Sequence, residues 1–145
     1  MRVIEPISKR EFEVYYNLRY ELLRKPWNQP LGSERDNNED SSFHRMILDD
    51  NNNALAVGRI QFISDKKAQI RYMAVSTSVQ RKGLGSAILL SLEKIAVKSN
   101  INSIILQARN NSINFYKSNG YVVVKKTFRL FDEIQHWLMQ KNINR

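Results

Sequence analysis

The chain of 145 residues contains no cysteine. That excludes disulfide staples, thiolate metal sites and a cysteine nucleophile. Two histidines, His44 and His136, are too few for most histidine-based metal sites, so no metal site is expected. Proline is scarce, with 3, and glycine with 5, which excludes collagen-like and low-complexity linker compositions. Long apolar runs are also missing. The start, Met-Arg-Val-Ile-Glu-Pro-Ile, holds an acid and a proline, so neither a signal peptide nor a membrane span is expected there and a cytoplasmic setting is the default. Acids are outnumbered: 14 Asp and Glu face 23 Lys and Arg, giving +9. Such an excess suits a polyanion, whether nucleic acid, membrane or a phosphorylated small molecule. With 42% apolar and 26% charged residues the mix is that of a globular chain. A chain of this length buries roughly 70% of its unfolded surface, enough for a single domain over 1–145.

What is present reads as an α/β domain with a mixed central sheet. Ser8-Lys9-Arg10-Glu11 is a capping-box pattern, and Phe12, Tyr15, Arg19, Leu22 and Leu23 follow at helical spacing, predicting a helix over 9–24. Residues 25–42 are polar and punctuated, a long loop of the kind that is usually functional. Residues 43–48 and 54–63 are strand-like around the Asp49–Asn53 turn. Residues 69–75 alternate, with Ile70, Tyr72 and Ala74 expected on one face and Arg71, Met73 and Val75 on the other. An antiparallel meander follows. Residues 83–99 form an amphipathic helix, 104–106 a buried strand, 112–118 a short helix, and 121–126 and 135–141 the last strands. The strand–helix–strand unit over 69–108 implies a parallel pair with a right-handed crossover.

Gln80-Arg81-Lys82-Gly83-Leu84-Gly85-Ser86 lies between a strand and a helix N-terminus. Backbone N–H groups there are unpaired and carry partial positive charge. Glycine lets an anion reach them. The nucleotide P-loop pattern is absent, and Ile88 stands where the dinucleotide fingerprint needs its third glycine. Gln-x-x-Gly-x-Gly instead resembles the acyl-CoA pyrophosphate loop of the GNAT family of N-acetyltransferases. Met73-Ala74-Val75 precedes it at the family's spacing. Downstream, Leu106-Gln107-Ala108-Arg109 leads into Phe115-Tyr116-Lys117-Ser118-Asn119-Gly120-Tyr121, which is similar to the second family signature. The resemblance runs along the whole chain and is closest to small bacterial members.

The resemblance implies a GNAT fold with splayed parallel strands and direct acetyl transfer from acetyl-CoA to an amine of a small molecule or protein. It implies a CoA site at Met73, Ala74, Val75, Gln80, Arg81, Lys82, Gly83, Leu84, Gly85 and Ser86, with Asn111 and Lys117 nearby. Pantetheine would lie along the strand ending at Val75 like an added strand. Tyr116 matches the family's general acid, although Phe115 and Tyr116 also suit a purely packing role. The base is open, because the strand before the glycine loop lacks the carboxylate many relatives carry. Glu39, Asp40, His44, His136 or a water relay remain as candidates. His136 lies in a stretch similar to the family's late strand beside the acceptor site, and an imidazole near 6.5 suits the task. Trp27 either covers the substrate cleft or anchors the core. Arg71 could meet an acidic acceptor, although a strand-surface charge is the favoured reading. A non-catalytic acyl-CoA sensor is the alternative reading. A nucleic-acid module is disfavoured because the basic residues are dispersed and no motif with stacking aromatics occurs. The positive excess also disfavours a cationic acceptor such as a polyamine. The family leaves room for a homodimer.

Overall fold

Ser8 accepts the Glu11 N–H and Glu11 accepts the Ser8 N–H, each at 3.1 Å, so the expected capping box starts helix α1, Lys9–Leu23. The computed structural model describes residues 2–80 and 82–143. Around α1 the chain runs β1 (Val3–Ile4), a 3-10 turn at Lys25–Trp27, then β2 (Phe43–Leu48), β3 (Ala54–Phe62) and β4 (Lys67–Val75). Helix α2 (Leu84–Lys98) crosses to β5 (Ser103–Arg109). The short α3 (Ile113–Ser118), β6 (Val122–Leu130) and β7 (Ile134–Asn142) complete the chain.

The seven strands form one sheet in the order β1-β2-β3-β4-β5-β7-β6. Strands β1 to β4 pair antiparallel, β4 and β5 run parallel, and β7 lies antiparallel between β5 and β6. The expected mixed sheet, with one parallel pair bridged by a helix, is therefore present. On one face α2 and α3 cover the larger core, including Ile60, Ile70, Ile88, Leu92, Leu106 and Met139. On the other face α1 covers Met46, Val57 and Ala74 around the buried Tyr15.

The alternation read along β4 breaks in the middle. Tyr72 has φ +57°, and the β3–β4 register shifts between Val57 and Arg59. This bulge places an extra residue in β4. Ile70 faces the α2 side while Ala74 faces the α1 side, and Met73 and Val75 join Ile70's face. The sequence pattern missed this because a bulge resets the two-residue period without any local marker. Its room comes from β3: a Cβ on Gly58 would lie 2.6 Å from Met73 Sδ and 2.6 Å from Ile88 Cγ2.

The bulge also positions the site. Pairing between β4 and β5 ends at Ile70 and Leu106, although β4 runs on to Val75 and β5 to Arg109. Beyond that point the parallel strands part, and the sheet is open between its two faces.

Candidate functional site

The gap between β4 and β5 widens into a cleft of about 350 Å³. Met73, Leu106, Ser112 and Tyr116 contribute from the α2 side. Arg24, Tyr72, Arg109, Phe128, Leu130 and His136 complete much of the remaining wall. Three lining residues are cationic, Arg24, Arg71 and Arg109, and no carboxylate lines the cleft among the described residues.

At the start of α2, Gly83 takes φ +81°, and no side chain caps the helix among the described residues. The first-turn amides of Leu84, Gly85 and Ser86 are thus presented as an anion site, beside the exposed Lys82. Gly85 has a different duty. A Cβ there would come within 3.1 Å of Phe115 Cζ and 3.4 Å of Val75 Cγ2. The start of α2 therefore sits tightly against the end of β4 and against α3. Gln80 folds back so that its Nε2 donates to the Val75 carbonyl at 3.2 Å, tying the loop to the strand. Past Ile70, the β4 backbone edge that faces β5 has lost its ladder partner, which leaves main-chain groups near Met73 and Val75 open to an extended amide-bearing ligand. Ala74 belongs to the opposite core face by its side chain and contributes main chain only. Asn111 and Lys117 are exposed on the approach to α3 and along it. Arg81 lies outside the described residues. An uncapped helix start with a left-handed glycine, next to an unpaired strand edge, suits a phosphate head and an amide-bearing arm, the two parts of CoA.

Tyr116 and His136 enter the cleft from opposite sides. Tyr116 belongs to the core beneath α2 and is in edge contact with Phe115, 5.0 Å between ring centroids, and with Tyr121 at 5.9 Å. Burial raises its pKa, partly opposed by the charge of Arg109, so the hydroxyl keeps its proton at neutral pH. His136 is paired with Arg109 across the β5–β7 ladder, and directly paired residues point to the same face. Leu106, which alternates with Arg109, belongs to the α2 face, so Arg109 and His136 point toward the α1 face. His136 Nδ1 donates to the Ile134 carbonyl at 2.9 Å, because a carbonyl can only accept. Its Nε2 has no protein partner among the described residues, so the neutral ring presents a lone pair there. Phe128 stacks on the imidazole with centroids 4.6 Å apart. Burial lowers the His136 pKa; the hydrogen bond to Ile134 opposes this, and the charges of Arg109 and Arg24 reinforce it.

The other base candidates lie elsewhere. Glu39 accepts from Arg19 Nη1 at 2.9 Å and from Arg59 Nη1 at 2.8 Å, both guanidiniums fully buried, and it also accepts the Asp36 N–H. Asp40 is exposed in the 25–42 loop. His44 Nε2 donates to the Glu39 carbonyl at 2.8 Å, and Nδ1 meets the Tyr15 hydroxyl at 2.7 Å. Its two ring nitrogens are both committed to structure.

Some lining residues were not foreseen. Arg24 caps the end of α1, and Arg109 closes β5, under the Trp27 ring with 4.7 Å to its centroid. Trp27 also stacks near Phe131 at 6.4 Å, so it packs at the rim beside Arg109 and outside both core clusters. Arg71 does lie on the strand surface, where it pairs with Asp36 at 3.1 Å while lining the cleft. Arg109 did have a signal, since it ends the strand that leads into the second motif. Arg24 had none.

The Acetyltransferase (GNAT) family model matches residues 9–121. The chain is 27% identical over 142 residues to the uncharacterized N-acetyltransferase YjcF of Bacillus subtilis (strain 168), covering 98% of this chain and 100% of that protein. Its fold is similar to that of an acyl-CoA N-acyltransferase from Pseudomonas aeruginosa, with a TM-score of 0.80, 20% identity and 96% of each chain covered. It is also similar to an aminoglycoside 6'-N-acetyltransferase complexed with coenzyme A, with a TM-score of 0.81 and 12% identity over 100% of this chain and 99% of that one. The chain belongs to the GNAT family of acetyltransferases and is an acyltransferase.

Proposed function

We propose that this acetyltransferase moves the acetyl group of acetyl-CoA directly to an amine, with His136 as the base and Tyr116 as the acid. The observation that carries the reading is the cleft itself. It opens the sheet between the two faces, with Tyr116 entering from the α2 side and His136 from the α1 side. Lys82, the amides of Gly83 to Ser86 and the β4 edge from Met73 to Val75 hold the donor, with Gln80, Asn111 and Lys117 at its margin. When bound, acetyl-CoA supplies a thioester carbon, and a C–N bond forms there as the C–S bond breaks.

The chain's own residues manage the protons. An acceptor amine reaches the cleft as an ammonium and must lose one proton to attack. Arg24 and Arg109 favour its neutral form by like charge. His136 Nε2 takes that proton, since burial keeps the imidazole neutral at working pH. Tyr116 keeps its hydroxyl proton until the thiolate leaves, gives it to sulfur, and is restored by the second proton that the acylated nitrogen sheds. His136 passes its proton to solvent. Positioning supplies much of the rate, because both reactants lie in one narrow cleft. A main-chain N–H near Val75 is suited to the developing oxyanion. No helix of the described residues is long and apolar enough to cross a membrane.

The test is an amine-panel acetylation screen with wild type, Tyr116→Phe and His136→Asn, beside CoA binding by thermal shift. Both variants should bind CoA as wild type does and lose about a hundredfold or more in turnover. Wild-type turnover in both variants would remove them from the mechanism. CoA binding with no amine acetylated by wild type would favour a sensor.

A further inference from the structure

Five arginines gather near the bulge in β4, and they differ in what neutralises them. Arg19 and Arg59 share Glu39, Arg59 also grips Asp36 through both nitrogens at 2.7 and 3.0 Å, and Arg71 takes the other side of Asp36. Arg24 and Arg109 form no ion pair among the described residues. Both line the cleft, and both are half-buried. Arg24 is aimed by its own hydrogen bonds, Nε to the Ser33 carbonyl at 3.0 Å and Nη1 to the Leu23 carbonyl at 2.8 Å. The Phe131 ring lies 5.6 Å from its guanidinium carbon. The Arg109 side chain makes no hydrogen bond among the described residues and is held by the Trp27 ring. Burial lowers the pKa of each, and for Arg109 the nearby charge of Arg24 adds to this. Two guanidiniums kept half-dry without a counterion are unfavourable alone and well formed for an anion.

That anion is not the donor's phosphate group. The uncapped start of α2 belongs to the α2 face, whereas Arg109 points with His136 toward the α1 face. We propose that the acceptor is a primary amine that also carries a carboxylate, with Arg24 and Arg109 gripping the carboxylate and the amine set beside His136. This rests on the transferase reading above. It makes the positive cleft a specificity device. The same two charges that hold the carboxylate disfavour a polyamine and help the ammonium release its proton.

Two measurements test it. The first compares acetylation of free α-amino acids with that of their carboxamides and methyl esters, which keep the amine and lack the negative charge. The acids should be preferred by about tenfold or more in kcat/KM, chiefly through KM. Arg24→Gln and Arg109→Gln should erase the preference, and Arg109→Lys should keep part of it. The second needs no turnover. CoA-loaded protein is titrated with N-acetyl amino acids and with their amides while tryptophan emission is followed, since Trp27 rests on Arg109. A saturable change with the acids alone, lost in Arg109→Gln, supports the site, and circular dichroism confirms that the variant is folded. Equal response to acids and amides in both measurements overturns the inference and leaves the transferase reading standing. Saturable carboxylate binding with no amine acetylated keeps the anion site and removes the transferase reading. A response to acids only when CoA is absent assigns the arginines to the donor and overturns the inference.

Discussion

His44 and His136 are equally hidden, each 7% exposed, and each gives one ring nitrogen to a backbone carbonyl. Burial lowers the pKa of both. Their surroundings then diverge. The second nitrogen of His44 meets the Tyr15 hydroxyl, inside a packed set of rings beside the Arg19–Glu39–Arg59 network. The second nitrogen of His136 opens on a cleft with cationic walls. Perturbation of a titratable group is thus a weak marker of function by itself. An unclaimed lone pair facing an open space is a stronger one.

Exchanging the two histidines for residues that cannot titrate should separate these roles most sharply. His136→Asn is expected to lower turnover by about a hundredfold to ten-thousandfold while the melting temperature moves little, read by thiol release and calorimetry. Similar losses of turnover in His136→Asn and in a folded His44 variant would break the contrast. Next in size is Glu39→Ala, which strands two buried guanidiniums. It should cost about 3–5 kcal/mol of stability in denaturant titration, with the CoA site retained in the folded fraction. His44→Ala leaves the Tyr15 hydroxyl and the Glu39 carbonyl without their partner and should cost about 1–3 kcal/mol. The smallest effect is on pH dependence. Both imidazoles have folded pKa values below their unfolded ones, so the unfolded chain binds protons first as pH falls. Stability from these residues is therefore present above about pH 6.5 and declines below it. The kcat/KM profile should rise through an inflection below about 6.5, the ordinary imidazole value, and His136→Asn should flatten it. Asp36 adds a lower step. Burial alone would raise its pKa, but the Arg59 hydrogen bond and neighbouring charges bring it down to about 2. Its contribution holds above its ordinary value and fades as pH falls toward about 2.

Much of this frame was legible in residue order. The capping box at Ser8 and Glu11 and the glycine run before α2 arise from contacts within a few residues, and the crossover between β4 and β5 follows from the strand–helix–strand order although its paired residues are distant in sequence. The bulge at Tyr72 was not legible, because Gly58 makes room for it from another strand. Nor was the fate of Glu39, whose partners stand 20 positions away on either side.

The sequence by itself determined the chemistry available. Without cysteine, transfer cannot pass through a cysteine acyl-enzyme, and Gln80-x-x-Gly83-x-Gly85 with the Phe115–Tyr121 stretch resembles the two signatures of the GNAT family. Tertiary structure decided which groups are left over to act. Glu39, Asp36 and His44 were drawn into pairs by Arg19, Arg59, Arg71 and Tyr15, while His136, Arg24 and Arg109 kept open valences toward the cleft. The reason is physical. Turns, caps and periods are set by near neighbours, whereas a buried charge or lone pair is satisfied by whichever group the fold brings within about 3 Å, from anywhere along the chain.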